Sequence, residues 1–336
     1  MAKREDDRLH LRATSLQRYA DRYAKARLAL TQVYSEGKRQ RAQFRIRRSL
    51  VQRPAAGEAN RDRELSPGPA LVTQKGWALH FYLIALFEAQ TRSTDGVKVR
   101  NTRRLDSTGE QCGWIDLVPA TTATADVRAG MRRQTIRALT QLARHNLVEI
   151  SGRIGSPGRY EGFQLRNEAG TAFDVWRSGY WTSGRYTIPA LGDREQLDPF
   201  RSPAAKDGQA EALLLPASFF LQGWVHALSA AEIVTYLMIR DLETRYPESS
   251  KRGVFVTEPN RTAWYGIRRD VYESHRQLAA YGLIERLDDP NRRENGTILR
   301  RPGRGVLLQP HRFRTLAQGL DQPAAKTVMA ALRATR

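Results

Sequence analysis

The sequence holds a single cysteine, Cys112, which excludes a disulfide framework and a zinc site built on cysteines. No apolar run approaches the ~18 residues needed to span a bilayer. The first residues, MAKREDDRLH, lack the apolar centre of a secretory signal. Acidic residues are also few, since 35 Asp and Glu accompany 55 Lys and Arg, a net charge of +20. These features predict a cytoplasmic, nucleoid-associated bacterial protein with a polyanionic partner and no membrane contact.

Signatures of catalysis are missing from the sequence as well. The histidines form no close metal-binding pair and are scattered over the chain as His10, His80, His145, His226, His275 and His311. There is no His-hydrophobe-His pattern of rolling-circle nickases, no Gly-rich phosphate loop, and no serine or cysteine nucleophile motif. We therefore expect no enzymatic activity, no metal and no cofactor.

What the chain does contain is an internal repeat. Residues 130–149, GMRRQTIRALTQLARHNLVE, align without a gap with residues 266–285, GIRRDVYESHRQLAAYGLIE, and eight of the twenty positions are identical. Upstream, PALVTQKGW at 69–77 matches PASFFLQGW at 216–224. Because both matches occur in the same order, a duplication explains them better than chance.

The repeat predicts the domain boundaries. We expect a basic N-terminal helix or arm over 1–53, a linker over 54–68, a first copy over 69–166, an aromatic and polar linker over 167–212, a second copy over 213–320 and a tail over 321–336.

In copy one the pattern predicts a buried helix from Trp77, a strand over 113–118, a short helix over 119–127, a turn at Gly130, a helix over 132–145, and a hairpin of strands 147–150 and 160–165. In copy two it predicts helices over 228–244, 260–266 and 268–281 and a hairpin of strands 283–287 and 305–308 with a long tip. Helix, helix, turn, helix and hairpin is the winged-helix order. The expected fold is therefore mainly α with small β-hairpins, as two tandem winged helices plus the basic N-terminal helix.

The segment RRQTIRALTQLARHNLVEISGRIGSPGRY resembles the recognition helix and wing of GntR-like bacterial transcription regulators, over about thirty residues. No effector domain of that family is recognisable. The layout of two winged helices with basic flanks is also similar to that of plasmid replication initiators. Both resemblances imply a protein that binds double-stranded DNA.

Side chains at the start of the third helix reach base edges in the major groove, and Arg and Gln match guanine and adenine there. The predicted DNA-binding residues are basic or amide side chains of the third helices and wings: in copy one Arg132, Arg133, Gln134, Arg137, Arg153 and Arg159, and in copy two Arg268, Arg269, Arg292, Arg293, Arg300, Arg301 and Arg304. Asp270 and Glu273 make the second helix less basic, so we expect copy two to rely more on its wing.

Two flanking segments allow two interpretations each. In the arm, Leu9, Leu16, Tyr19, Tyr23, Ala26, Leu30 and Val33 follow a heptad spacing. That face would either pair two subunits through residues 9–33 or pack onto its own winged domain. The aromatic residues of 173–186 would either stack bases of a single strand or pack the linker against the domains.

Three functions follow. The first is a transcriptional regulator that recognises an operator sequence. The second is a replication initiator of a plasmid or phage that grips iterated origin repeats. The third is an architectural or protein-interaction module, against which the charge of +20 weighs.

Overall fold

The computed structural model describes residues 2–53, 65–72, 76–94, 99, 101–109, 111–119, 121, 126–153, 155–156, 158–168, 175–177, 180–182, 186, 188–189, 212–287 and 310–334. Over these residues the chain is mainly helical with small antiparallel sheets, as expected. The helices are α1 (Ala2–Arg18), α2 (Ala20–Glu36), α3 (Pro67–Val72), α4 (Ala78–Arg92), α5 (Val127–Arg144), α6 (Ser218–Leu221), α7 (Trp224–Ala227), α8 (Ala230–Arg245), α9 (Pro247–Ser250), α10 (Glu258–Asn260), α11 (Arg269–Tyr272), α12 (His275–Ala280) and α13 (Ala324–Ala334).

The strands pair in twos. β1 (Gln43–Arg47) pairs with β6 (Ala212–Pro216), β2 (Val148–Ile150) with β3 (Phe163–Leu165), β4 (Val175–Arg177) with β5 (Tyr180–Thr182), and β7 (Ile284–Leu287) with β8 (Arg312–Thr315). Every pair is antiparallel. Val254 adds an isolated bridge to Phe313 beside β8.

The central helix of each copy is buried on most of its surface. α4 is buried nearly all round, which is typical of a helix enclosed by its own protein. α8 begins where the sequence predicts, because the Ser229 hydroxyl accepts from the Glu232 amide and the Glu232 carboxylate accepts from the Ser229 amide. α5 packs against α4, while α11 and α12 pack against α8.

The two copies of the repeat have the same backbone structure at the end of the third helix. Asn146 and Gly282 are aligned, and both adopt the left-handed conformation, with φ of 55° and 69°. The amide of Leu147 donates to the carbonyl of Leu142 at 3.0 Å, and the aligned amide of Leu283 donates to Leu278 at 3.0 Å. The same helix end and the same entry into a hairpin therefore occur twice.

The repeat diverges at the start of the third helix. Asp126 caps α5, because its carboxylate accepts from the Ala129 amide at 3.0 Å, so the helix begins at Val127. The predicted turn at Gly130 is wrong, since Gly130 lies buried inside α5. The aligned Gly266 does end a turn, with φ of 63°. In copy two the third helix is also interrupted between α11 and α12.

Other predicted elements need correction. The strand predicted over 113–118 is wrong, because Trp114–Leu117 forms a 3-10 turn in which the Asp116 carboxylate accepts from the Gly113 amide at 2.7 Å. The short helix predicted over 119–127 lies mostly outside the described residues, and its last residue, Val127, belongs to α5. The strand predicted over 305–308 lies outside the described residues, and the strand that pairs with β7 is β8.

The N-terminal arm is an integral part of the fold. Its apolar face is buried within the same chain, where Leu16, Leu30 and Val33 join the common core. α1 packs against α13, and α2 packs against α4 and α6. The second of the two interpretations is therefore the one observed, and this face is not available to pair two subunits.

The arm also ties the two copies together. β1 in the arm pairs with β6 at the start of copy two. Next to this sheet Phe44 of the arm, Phe87 of copy one and Phe220 of copy two form an aromatic cluster, with ring centroids 4.6 to 5.2 Å apart. The two copies thus share one hydrophobic core rather than two separate ones.

Two buried histidines, one from each copy, form hydrogen bonds across the joint, which is the buried interface between the two copies. The His80 ring of copy one bonds through Nε2 to the Leu228 carbonyl of copy two at 2.9 Å. The His226 ring of copy two bonds through Nε2 to the Leu117 carbonyl at 2.9 Å. A carbonyl can only accept, so both rings donate from Nε2. Burial lowers the pKa of each histidine to about 4.

Candidate nucleic-acid interface

One face of α5 carries only basic charge. Arg133, Arg137 and Arg144 are all exposed, and their spacing of four and seven residues places them in one row along the helix. Within the described part of the chain these guanidinium groups have no hydrogen-bond or ion-pair partner. The opposite face buries Ala138, Leu139 and Leu142. The row is therefore held by a packed helix and remains open to solvent.

Two neighbouring side chains predicted to contact DNA are engaged within the chain. Arg132 forms ion pairs with Asp106 and with Glu161, the latter at 3.0 Å. The hydrogen bond to Glu161 raises the pKa of the Arg132 guanidinium. The Gln134 amide donates to the Pro119 carbonyl at 3.3 Å. Arg132 thus connects α5 to the hairpin, and Arg133 and Arg137 are the residues that face solvent.

The turn between β2 and β3 carries the two predicted wing arginines of copy one. Arg153 is exposed, whereas Arg159 is half-buried with its guanidinium 5.6 Å from the centre of the Tyr160 ring. Gly152 adopts φ of 104°, and a Cβ there would lie 3.0 Å from the Cα of Arg159. The turn is therefore tight, and of its two arginines Arg153 is the exposed one.

The corresponding face of copy two has mixed charge. Arg268 and Arg269 are exposed at the start of α11, as the repeat predicts, and Asp270 is exposed beside them. Glu273 forms ion pairs with Arg269 at 3.5 Å and with Arg276 at 2.7 Å. The repeat gives no signal for Arg276, because the aligned residue in copy one is the neutral Thr140.

The segment predicted to form the wing of copy two is only partly described. Its predicted contact residues Arg292, Arg293, Arg300, Arg301 and Arg304 lie outside the described residues. At its base Arg286 is exposed on β7, and Arg314 on β8 is paired with Glu285 at 3.6 Å.

Much of the positive charge of the arm is used inside the protein. Arg47 pairs with Glu168 of copy one at 2.7 Å, Arg48 with Asp241 of copy two at 2.8 Å, and Arg12 with Glu232 of copy two at 2.6 Å. All three carboxylates are buried. Among the arm side chains that the structure describes, the exposed cations are Arg8, Arg18, Lys25, Lys38 and Arg39. Some of the arm's arginines thus stabilise the fold through buried ion pairs, while other cations of the arm lie on the surface.

Within the aromatic stretch over 173–186, the described strands β4 and β5 pair with each other. β4 and β5 place Trp176 opposite Trp181. Beyond them Tyr186 is buried beside β3, where its hydroxyl accepts from the Gln90 amide at 2.9 Å. Burial raises the pKa of Tyr186. At this residue the stretch packs against copy one, as the second interpretation predicted.

Among the described residues no group of three His, Cys, Asp or Glu side chains could hold a metal ion. Cys112 is half-buried, its thiol donates to the Gln32 amide oxygen at 3.0 Å, and burial raises its pKa. His275 is also buried, which lowers its pKa to about 4.

Within its described residues the chain has no helix of the length and apolarity required to cross a membrane. Comparison with protein-family models, curated proteins and solved structures finds no match. The candidate interface therefore stands on the geometry and charge of this chain alone.

Proposed function

We propose that this protein binds double-stranded DNA in a sequence-specific manner and acts as a transcriptional regulator, without catalytic activity. The observation that carries the proposal is the row of Arg133, Arg137 and Arg144 on the exposed face of α5, immediately before a β-hairpin. An α-helix with such a row fits the major groove, where Arg reads guanine or neutralises phosphate.

The order of elements supports a winged-helix interpretation of both copies. In copy two α8, the Val254 bridge, α10, the α11–α12 helix, β7 and β8 follow one another in the order of a winged helix. In copy one α4, α5, β2 and β3 occupy the corresponding places. The third helix and the hairpin would then be the groove-reading helix and the wing.

The salt dependence of duplex binding tests this function. Each phosphate contact releases counterions, so log K should fall with log salt at a slope of roughly −6 or steeper, for about six contacts or more. The measurement is a fluorescence-anisotropy titration of a labelled duplex at several salt concentrations. A slope near zero would contradict DNA binding. An affinity for the duplex no higher than the affinity for an uncharged polymer would contradict it too.

The biological role needs a second measurement. Mapping the sites that the protein occupies in the genome distinguishes promoters, which the regulator proposal requires, from a cluster of origin repeats, which a replication initiator requires.

A further inference from the structure

The face of copy two that corresponds to the arginine row on α5 has an acidic side chain, Glu273, at its centre. Glu273 lies between α11 and α12, four residues after Arg269 and three residues before Arg276. Its carboxylate is 3.5 Å from Arg269 Nε and 2.7 Å from Arg276 Nη2. The two arginine side chains are 82% and 60% exposed, and that of Glu273 is 28% exposed. The carboxylate thus sits between two arginines that project further into solvent.

Copy one has the opposite charge at this place. The alignment of the repeats puts Arg137 at the position of Glu273 and Arg133 at the position of Arg269. Arg137 is exposed and has no ion-pair partner in the described part of the chain. The two faces therefore keep an arginine at the aligned positions Arg133 and Arg269 and differ four residues later, where copy one has Arg137 and copy two has Glu273.

This difference has a chemical consequence for DNA. A carboxylate in the major groove repels phosphates and the acceptor atoms of guanine, and among the base edges it favours the amino group of cytosine. The Glu273 carboxylate also forms ion pairs with the neighbouring arginines, so DNA phosphates must compete with the carboxylate for those arginines. A central carboxylate thus costs affinity on every sequence, and a cytosine placed opposite it restores part of that affinity.

We propose that Glu273 is a specificity-determining residue that selects cytosine and disfavours other sequences, while the row on α5 supplies affinity. The proposal rests on the proposed function, since it assigns a role within the same DNA interface. Its specific claim is that the acid contributes discrimination at the cost of affinity.

The test compares Glu273→Gln with wild type on two duplexes. The cognate duplex is the sequence that wild type selects from a random pool, and the second duplex is its scrambled version. Glutamine keeps the shape and removes the charge, so the affinity for the scrambled duplex should rise about five-fold or more, while the affinity for the cognate duplex changes less. Repeating the selection with Glu273→Gln should relax the preference at one cytosine.

Glu285→Gln is the matched control, because Glu285 is also paired with an arginine of copy two but lies on β7. It changes the net charge equally and should leave the ratio of the two affinities unchanged. If both variants strengthen the two duplexes alike, or if wild type and Glu273→Gln select the same motif, the role of Glu273 is overturned. A wild type without salt-dependent duplex binding instead overturns the proposed function itself.

Discussion

Arg132 and Arg133 are adjacent in the sequence, yet their surroundings differ. Arg132 is held by Asp106 and Glu161, whereas Arg133 points to solvent next to Arg137. Residue type and predicted position at a helix start therefore identified both arginines as candidates for DNA contact. They did not show which of the two is exposed and which is held in ion pairs. That depended on acids brought near from the loop before α5 and from the hairpin after it.

We predict that Arg133→Ala lowers the preference for the cognate over a scrambled duplex by about 1–3 kcal/mol, because a lost base contact affects only the sequence that it reads. Arg132→Ala should instead loosen the hairpin and weaken both duplexes alike. The measurement is a titration of both duplexes at two salt concentrations. Lys326→Ala, which removes an exposed charge on α13, is the control. If Arg132→Ala changes the ratio and Arg133→Ala does not, the assignment of these two arginines is reversed.

At the scale of elements, the N-terminal arm differs most from its expected role as a basic tail. Its heptad pattern predicted one amphipathic helix, whereas the structure has two, α1 and α2, whose apolar face packs within the same chain, as one of the two interpretations expected. Strand β1 was missed, although Phe44 and Ile46 alternate with Arg45 and Arg47 in the period of a strand. Removing the arm would test folding rather than DNA contact, because it takes away part of the core.

The buried pair of Arg12 and Glu232 gives a stability prediction for the arm. Arg12→Ala leaves the Glu232 carboxylate buried without its cation, so the free energy of unfolding should fall by about 3–5 kcal/mol. The Tyr281 hydroxyl also donates to this carboxylate, at 3.1 Å, and keeps part of its hydrogen bonding. The measurement is urea denaturation followed by circular dichroism.

Two further variants decide whether the charge pair is the cause. Arg8→Ala removes an exposed charge from the same helix and should change stability by less than about 0.5 kcal/mol. Adding Glu232→Gln to Arg12→Ala removes the uncompensated charge and should restore much of the loss. Equal effects of Arg12→Ala and Arg8→Ala would mean that the pair contributes nothing beyond a surface charge.

At the scale of the whole molecule, the two copies behave as one body because the joint between them is buried. The Phe44 cluster, the β1–β6 sheet and the reciprocal histidine bonds all cross it. Opening the joint would expose these groups to water, so the two candidate faces are held in a fixed relation.

The joint also predicts how stability depends on pH. His80 and His226 have pKa values of about 4 in the folded protein and about 6.5 when unfolded. Between these values the unfolded state binds more protons than the folded state, so the stabilisation that these two histidines contribute is complete only above about pH 7. It should then fall by about 1.4 kcal/mol per pH unit for each histidine as the pH drops towards 4.

The variant His80→Gln/His226→Gln checks this dependence, because glutamine can still donate to the Leu228 and Leu117 carbonyls but does not titrate. Urea denaturation at pH values from 4 to 8 should show a shallower loss of stability for the double variant than for wild type. Parallel curves for the two proteins would mean that these histidines are not buried as neutral groups.

Local patterns in the sequence determined the mainly helical class, the repeat, the buried helices α4 and α8 and most of the two hairpins. Periodicity, caps such as Ser229 and the left-handed Gly282 act over a few residues, so they can be recognised from a short stretch of chain. The candidate arginines on α5 and α11 were recognised in the same way.

Only the tertiary structure decided what those elements contact. Contacts between residues far apart in sequence decided four features. These are the pairing of Arg132 with Asp106 and Glu161, the burial of the arm's apolar face, the 3-10 turn at Trp114 and the core that the two copies share. Trp114 shows the reason, because its ring packs against Phe163 and Phe81 at 5.1 and 5.5 Å, and this burial favours a turn where the local pattern favours a strand. Burial energy depends on the final arrangement of the whole chain, and no local window of sequence contains it.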